Sequence, residues 1–189
     1  GEKVKVQYVE LDKQGHVNLT QLEELLKQGE PKSTLVSLMH GNNEIGTLLN
    51  LQKVSELCQQ YGAYFHSDTV QTIGYFPFDL QKMKIHFLSG SAHKFHGPKG
   101  IGFLYINSEV HIKPLLDGGA QERNMRAGTE NVAGIVGLGK ALELAVTHMA
   151  ENMERISGLK GYMIEKLREH VPGVDFNGDI TTEGSNYKV

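Results

Sequence analysis

The sequence predicts an α/β fold, in which helices cover both faces of a mostly parallel sheet. Short apolar runs alternate with amphipathic helical segments along the chain. Such alternation is typical of parallel strands joined by helices. Polar clusters directly follow three of the apolar runs, at 40–44, 67–71 and 91–94. Ligands of such sheets bind at the carboxyl ends of the strands, so these clusters lie where a ligand site is expected.

Five strands and two helices are predicted before residue 107. Near-alternating valine and tyrosine residues predict a strand from Lys3 to Glu10. Leucines at helical spacing follow Asn18, which is suited to cap a helix that Gly29 ends. A second helix runs from Asn50 to Tyr61. The other strands are apolar runs at Thr34–Met39, Ala63–Phe65, Ile85–Ser89 and Ile101–Ile106.

The remainder of the chain is predicted to be helical from Asn131 onward. Thr129 precedes this region and is suited to cap it. Gly158 and Gly161 predict a break before a last helix that ends near His170. Apolar residues recur every three or four positions, at Leu138, Leu142, Ala145, Met149, Met153 and Ile156.

Composition places the chain among ordinary globular proteins. It has 189 residues, 39% of them hydrophobic and 22% charged, which is enough for one domain with a real core. The net charge of −3 lacks the basic excess that direct nucleic-acid binding needs. No apolar run approaches the roughly 20 residues of a membrane span, so no membrane association is expected.

Cys58 is the single cysteine, which excludes an internal disulfide framework and any multi-cysteine metal site. One thiol fits a reducing compartment, and we expect a cytoplasmic location. The first residue is Gly1 rather than methionine, so we expect the chain to be an excised or processed piece.

The segment from Ser91 to Gly102, SAHKFHGPKGIG, could carry chemistry. Lys94 follows a buried strand, and a glycine-rich loop behind it would bring the amine close to a ligand, where loss of water makes it nucleophilic. Ser91 and His93 could donate hydrogen bonds to a phosphate. An ordinary turn with an exposed Lys94 fits the same residues. No metal site is predicted, because Lys94 separates His93 from His96 and no acidic cluster is near in the sequence.

Three further clusters each allow two interpretations. Asp68 comes just after a buried strand and needs a cationic partner, which could be a protonated pyridine, an arginine or a helix N-terminus. The amides and glycines of 41–46 suit either a tight turn or recognition of a carboxylate. Thr129 with nearby arginines suits an anion site or a simple helix cap.

Taken together, these motifs are specific. The order NNEIG, HxDxxQ, SxHKxxGPKGIG and GGxQERxMRxGT closely resembles the cysteine desulfurases of the class V aminotransferase superfamily. The resemblance runs from about Val4 to beyond Gly139. It implies the type I fold of pyridoxal-phosphate enzymes. Residues 1–189 would be part of the large domain, and about 131–189 would lead toward a small domain that this chain lacks.

The resemblance also implies roles at the cofactor, pyridoxal 5′-phosphate. Lys94 matches the lysine that forms a Schiff base with it and then acts as a general base. Asp68 matches the carboxylate that pairs with the pyridine nitrogen, and Gln71 the residue beside the phenolic oxygen. Ser91 and His93 match phosphate ligands.

Two further matches concern the substrate and the assembly. Asn43 matches an amide that helps hold the substrate carboxylate. Thr129 matches a phosphate ligand donated to the neighbouring subunit, which implies a homodimer.

The implied activity converts L-cysteine to L-alanine and an enzyme persulfide. The persulfide sulfur would pass to an iron–sulfur scaffold or a sulfur-carrier protein. Selenocysteine lyase or another class V enzyme is the alternative, and the isolated chain could be a non-catalytic fragment that lacks the nucleophilic cysteine. Cys58 is not expected to be that nucleophile, because it lies on the apolar stripe of a helix.

Overall fold

The computed structural model describes residues 4–178 and residue 180 of the chain. The strands are β1 (Leu35–Met39), β2 (Tyr64–Asp68), β3 (Phe87–Ser91) and β4 (Gly102–Ile106). The α-helices are α1 (Leu19–Lys27), α2 (Leu51–Gln60), α3 (Gln121–Asn124), α4 (Val132–Thr147) and α5 (Met149–His170). A one-turn 3₁₀ helix, Ala92–Phe95, directly follows β3.

The four strands form one sheet in the order β1-β2-β3-β4. The first three strands are parallel, and β4 runs antiparallel to β3. Met39 pairs with Asp68, and Asp68 pairs with Ser89, so β1, β2 and β3 end at the same edge of the sheet. We call this the carboxyl edge. The predicted mostly parallel α/β sheet is confirmed.

Helices α1 and α2 pack on one face of this sheet and form the core. The inward-facing side chains Val36, Phe65 and Leu88 are buried there. The apolar stripes of the two helices meet them, through Leu22, Leu26, Leu51, Val54 and Cys58. Each fully buried side chain of this size contributes about 1.5–3 kcal/mol. On the opposite face of the sheet, Leu35 and Leu104 remain 57% and 52% exposed.

Asparagine caps begin both core helices where the sequence predicts them. The side-chain oxygen of Asn18 accepts from the Gln21 N–H at 3.0 Å, and that of Asn50 accepts from the Lys53 N–H at 3.0 Å. Each cap satisfies one backbone donor that the first helical turn leaves without a partner.

The predicted strand from Lys3 to Glu10 is wrong over the described part of that range. Residues 4–10 form no strand, and Lys3 lies outside the described residues. Val4 and Tyr8 are 85% and 87% exposed. A strand needs a partner that pairs its backbone, and the four-stranded sheet supplies none to this segment.

The predicted end of the last helix near His170 is confirmed, but two other predictions for this region are wrong. The chain bends at His148, and α5 continues through Gly158 and Gly161. Exposed glycines weaken a helix by about 1 kcal/mol each without breaking it. Thr129 does not cap α4; Asn131 does, because its side chain accepts from the Gly134 N–H at 3.1 Å.

Among the described residues, no single helix has the length and apolar character to span a membrane. Helices α4 and α5 meet that criterion only jointly, and they are bent by 69° at their junction.

Candidate active site

A cavity of about 740 Å³ opens at the carboxyl edge of the sheet. Its size lies within the range of about 300–1,000 Å³ that is usual for small-molecule sites. It brings together three of the residues predicted from sequence, Asn43, Gln71 and Lys94. These come from three different loops, which follow β1, β2 and β3. The shared edge of the parallel strands therefore assembles the site as expected.

Lys94 lies in the 3₁₀ helix that follows β3. The Tyr75 hydroxyl donates to the Lys94 carbonyl oxygen at 3.0 Å, which fixes the backbone below the amine. Gly97 packs closely behind this turn, where a Cβ would lie 2.9 Å from Ala92 Cβ and 3.2 Å from Ala141 Cβ. Helix α4 can therefore approach the lysine turn only because residue 97 is glycine.

Asp68 is the last residue of β2 and is half-buried. One of its carboxylate oxygens accepts from the Val70 N–H at 2.9 Å. The next residue, Thr69, is fully buried, and its hydroxyl donates to the Ser89 carbonyl oxygen at 2.8 Å. The turn that carries Asp68 and Gln71 is thus anchored to β3. Asp68 lies at the carboxyl edge but does not line the cavity.

Ser91 and His93 contact each other, since the Ser91 hydroxyl oxygen and His93 Nδ1 are 2.9 Å apart. Ser91 ends β3, and His93 is exposed in the 3₁₀ helix next to Lys94. Neither lines the cavity. The pair forms a polar group beside it, on the same turn as the lysine.

Asn43 lies in a tight turn, as the sequence of 41–46 predicts. The turn is held by the side-chain oxygen of Asn42, which accepts from the N–H groups of Glu44 at 2.9 Å and Ile45 at 3.1 Å. Gly46 completes it with a φ of 70°, which favours glycine. The Asn43 amide nitrogen donates to the Glu44 carboxylate at 2.7 Å. The turn and the contact with the cavity coexist, so both sequence interpretations can hold.

Thr129 is not brought together with the other candidates. It is exposed, precedes α4 and does not line the cavity. The described residues also contain no group of three or more histidine, cysteine or acidic side chains suited to hold a metal ion.

Helix α5 supplies one wall of the cavity, which sequence reasoning missed. Met153, Ile156 and Met163 present apolar side chains to it, and Lys160 adds a second cation. Among the described lining residues Glu44 is the acidic one, so the cavity presents groups of both charge signs. The spacing of Met149, Met153 and Ile156 indicated an apolar stripe, but only the fold shows what it faces.

His40 begins the polar cluster 40–44 that directly follows β1, but sequence reasoning assigned it no role of its own. It is 9% exposed, and its Nδ1 lies 2.9 Å from the Thr72 hydroxyl oxygen. Burial lowers the pKa of His40 from 6.5 to about 4, so the imidazole is neutral at pH 7.

The donor set at this edge fits pyridoxal 5′-phosphate. That group needs a lysine amine for its aldehyde, a carboxylate for its ring nitrogen and polar donors for its phosphate. Lys94, Asp68 and the Ser91–His93 pair are of these three kinds. They lie on the ends of adjacent strands and on the turn that follows, next to a cavity of suitable size.

The model of the class V aminotransferase family matches residues 1–187. The chain belongs to this family. Among class V relatives, the cysteine desulfurase IscS of Dictyoglomus turgidum is 44% identical over 174 residues, which are 92% of this chain and 43% of that protein. The cysteine desulfurase IscS of Methanosarcina thermophila is 44% identical over 186 residues, or 98% and 45% of the two proteins. The chain thus spans less than half the length of these two relatives.

Solved class V structures share the fold. A NifS-like protein from Rickettsia africae matches with a TM-score of 0.82 and 35% identity, covering 89% of this chain and 49% of that one. A cysteine desulfurase from Thermococcus onnurineus matches with a TM-score of 0.87 at 24% identity, covering 97% and 49%. The latter supports the fold alone. The type I fold implied by the motifs is confirmed.

Cys58 is expected to be dispensable for class V chemistry. Its side chain is fully buried in α2, and burial raises the pKa of its thiol to about 12. Cys58→Ala should therefore keep most of the activity of the whole protein and cost about 1–2 kcal/mol of stability. Activity and urea unfolding measure the two effects. Persulfide on Cys58 in mass spectra, with activity lost in Cys58→Ala, would contradict this prediction.

The buried His40 predicts a loss of stability in acid. Between pH 6.5 and pH 4 the unfolded chain holds the proton on this residue and the folded chain does not, so stability falls as the pH falls through this window. The expected loss is about 3 kcal/mol, because each tenfold change in proton affinity is about 1.4 kcal/mol. Urea unfolding across this window should show a shallower pH dependence in His40→Asn. Equal slopes in the two proteins would refute the assignment.

Proposed function

We propose that the whole protein that carries this sequence is a pyridoxal-phosphate-dependent cysteine desulfurase. It would convert L-cysteine to L-alanine and leave the sulfur as a persulfide on an enzyme cysteine. The observation that carries the proposal is the position of Lys94. It borders a cavity together with Gln71 and Asn43, next to Asp68 at the same sheet edge. Identity of 44% to proteins named cysteine desulfurase supports the choice of substrate.

Several side chains would hold the cofactor. The Lys94 amine would bind its aldehyde carbon, and the Asp68 carboxylate would keep a proton on the ring nitrogen. Gln71 would donate to the phenolic oxygen, while Ser91 and His93 would donate to the phosphate. When bound, pyridoxal phosphate supplies an electron sink for the pair of electrons left at the substrate α-carbon.

The same residues and their neighbours would then act on the substrate. The Asn43 amide binds the carboxylate of L-cysteine, and the Lys94 amine moves the proton at the α-carbon. Apolar side chains of α5 form this side of the cavity.

The sulfur step needs a nucleophilic thiolate, and Cys58 is unsuited to it because its thiol is buried and protonated. A cysteine elsewhere in the whole protein attacks the substrate sulfur and forms an S–S bond. The carbon–sulfur bond breaks, and the β-carbon gains a proton to give the methyl group of L-alanine. The products are one alanine and one persulfide, so atoms and electrons balance.

The assembly and setting are also proposals. Residues 1–189 would form part of the cofactor-binding large domain, with the region from about 131 leading toward a small domain. The 43–45% of the relatives' length that the chain spans supports this. The persulfide sulfur would pass to an iron–sulfur scaffold or a sulfur-carrier protein, in a homodimer located in the cytoplasm.

The test uses the whole protein purified with pyridoxal phosphate. We expect visible absorbance from bound cofactor, and equal amounts of alanine and persulfide from L-cysteine. Comparison with L-selenocysteine separates the alternatives: preference for selenocysteine would indicate a selenocysteine lyase. The isolated 189-residue chain should make no persulfide even with added cofactor. Persulfide formation by that chain would contradict the assignment of the nucleophile to another cysteine.

Thr129 is expected to act across the dimer interface. Thr129 is exposed and does not line the cavity of its own chain, which suits a residue that serves the neighbouring subunit. A heterodimer of Thr129→Ala and Lys94→Ala protomers would then have one intact site and one site with both lesions. It should recover roughly half of the wild-type activity, since one of two sites is whole.

Differently tagged protomers isolate this heterodimer from the two parent homodimers. Thr129→Ser serves as the control, because it keeps the hydroxyl and should retain activity alone. An active monomer, or a heterodimer no more active than its parents, would refute sharing of the sites.

A further inference from the structure

We propose that His40 is a positioning residue that couples the Asn43 turn to the Gln71 turn. The inference rests on the proposed function, because the roles of Asn43 and Gln71 come from it. His40 does not line the cavity and would act through these two turns. Three sets of contacts carry the proposal, namely those of its backbone, its ring nitrogen and its ring edge.

The backbone of His40 joins the end of β1 to the end of β2. Its N–H donates to the Asp68 carbonyl oxygen at 2.8 Å, and its carbonyl oxygen accepts from the Leu49 N–H at 2.7 Å. The second bond closes the loop that contains Asn43, and a bridge between Gly41 and Leu48 supports the closure. One residue therefore fixes both the base of the Asn43 turn and the residue that begins the Gln71 turn.

The side chain makes a second connection to the Gln71 turn. His40 Nδ1 is 2.9 Å from the hydroxyl oxygen of Thr72, which is fully buried and directly follows Gln71. The Thr72 hydroxyl also lies 3.3 Å from the Thr69 carbonyl oxygen, to which it can donate. On this network we assign the proton of the neutral imidazole to Nδ1, so that the Thr72 hydroxyl donates to Thr69 and accepts from His40. A neutral histidine with this tautomer orients the hydroxyl without adding charge to the site.

The imidazole also packs against the wall of the cavity. Its ring meets Phe76 edge-on at a centroid distance of 5.7 Å and Phe78 at 5.3 Å. Phe76 lines the cavity, whereas His40 lies behind it. Loss of the ring nitrogen would therefore affect the cavity through Thr72, and a shift of the ring would affect it through Phe76. Errors of about 1 Å in the position of binding groups can lower activity about 100-fold.

Four variants separate positioning from general stability. His40→Phe keeps a ring but removes the donor, and Thr72→Val removes the partner hydroxyl with little change in shape. His40→Asn keeps an N–H near the position of Nδ1 and serves as the rescue. His86→Asn is the matched control, because His86 is also buried (7% exposed) and its Nδ1 accepts from the Phe65 N–H at 3.0 Å, at the opposite edge of the sheet.

The first measurement needs no cofactor. Hydrogen–deuterium exchange of the cofactor-free protein should accelerate about tenfold in segments 41–49 and 69–76 of His40→Phe and Thr72→Val. His40→Asn should exchange like wild type at 41–49 and 69–73, which the Thr72 contact holds, but should still accelerate at 75–76, because it lacks the ring that packs on Phe76. In His86→Asn, any change should stay near residues 64–66 and 85–87. Unchanged exchange in both His40→Phe and Thr72→Val, or the same change in His86→Asn, would overturn the proposal.

The second measurement uses the whole protein with pyridoxal phosphate. His40→Phe and Thr72→Val should raise the Kd for the cofactor and the KM for L-cysteine about tenfold, with a smaller change in kcat. They should also shift the pH at which the visible absorbance of the bound cofactor titrates, because in the proposed function Gln71 would donate to its phenolic oxygen. The double variant should be no worse than either single variant, since both break one connection. Additive losses would overturn the coupling.

The two proposals fail in different ways. A wild-type protein that does not release alanine from cysteine would refute the proposed function, while the exchange comparison would still decide whether His40 couples the two turns. A working desulfurase in which His40→Phe behaves like His86→Asn would refute only the role of His40.

Discussion

Lys94→Arg is expected to lower the proposed desulfurase activity of the whole protein by roughly three orders of magnitude or more. Arginine keeps the positive charge and the length of the side chain, but it neither forms the covalent bond to the cofactor nor releases a proton near neutral pH. Lys94 lies on a turn fixed by the Tyr75 hydroxyl and packed against Gly97, so the substitution should leave the fold intact. Steady-state rates and circular dichroism measure the two outcomes.

Reduction with borohydride identifies the anchoring lysine directly. Peptide mapping of the reduced, cofactor-loaded protein should place the pyridoxyl group on Lys94. Lys99→Arg is the matched control, because Lys99 is exposed in the same glycine-rich segment and does not line the cavity. A label on Lys99, or wild-type turnover in Lys94→Arg, would reverse the interpretation of this loop.

Asp68→Asn is expected to slow removal of the substrate α-proton by about 100- to 1,000-fold, as loss of one preorganised charge contact does in other active sites. The amide has the shape of the carboxylate and still offers an oxygen to the Val70 N–H, so the turn after β2 should persist. The amide would no longer hold a proton on the ring nitrogen of pyridoxal phosphate. Exchange of the α-hydrogen of L-alanine with deuterated solvent, followed by NMR, measures this step alone.

Asp79→Asn provides the comparison for Asp68→Asn. Asp79 is a surface residue paired with Lys82 at 3.1 Å. Asp79→Asn should change the stability of the protein little and leave the rate of α-hydrogen exchange unchanged. Exchange of the α-hydrogen at the wild-type rate in Asp68→Asn would show that Asp68 has no role in this step. A large fall in the urea midpoint would show instead that the carboxylate is needed for folding.

The elements that sequence predicts well are those whose signals are local. Asn18 and Asn50 each cap a helix by contacts within three residues, and the apolar stripes of those helices need only one face of the sheet to pack on. The strand ends that carry Asp68 and Lys94 follow from buried runs interrupted by polar residues. The common edge at which they meet follows from parallel pairing.

The elements that sequence misses depend on distant parts of the chain. The alternation in residues 4–10 indicates a strand, but it cannot supply the partner strand that makes one. Asn131 rather than Thr129 caps α4. The two candidates are only two residues apart in the sequence, and the path of the backbone decides which side chain accepts from the Gly134 N–H. Lys160 reaches the cavity because the chain bends at His148, and His40 is held by its contact with Thr72. Neither feature is indicated by a local sequence pattern.

The order of the strands also bears on how the chain folds. Within the part of the chain that the structure describes, each strand pairs with the one that precedes it in the sequence, from β1 to β4, so none of these strands inserts between two that are already paired. The parallel pairings still span 21 to 29 residues, but they close smaller loops than pairings between strands that are not neighbours in the sequence, and smaller loops cost less entropy. During synthesis, the sheet can therefore grow one strand at a time as the chain leaves the ribosome. The loop that carries Lys94 is then completed when β4 adds to the edge that β3 leaves open.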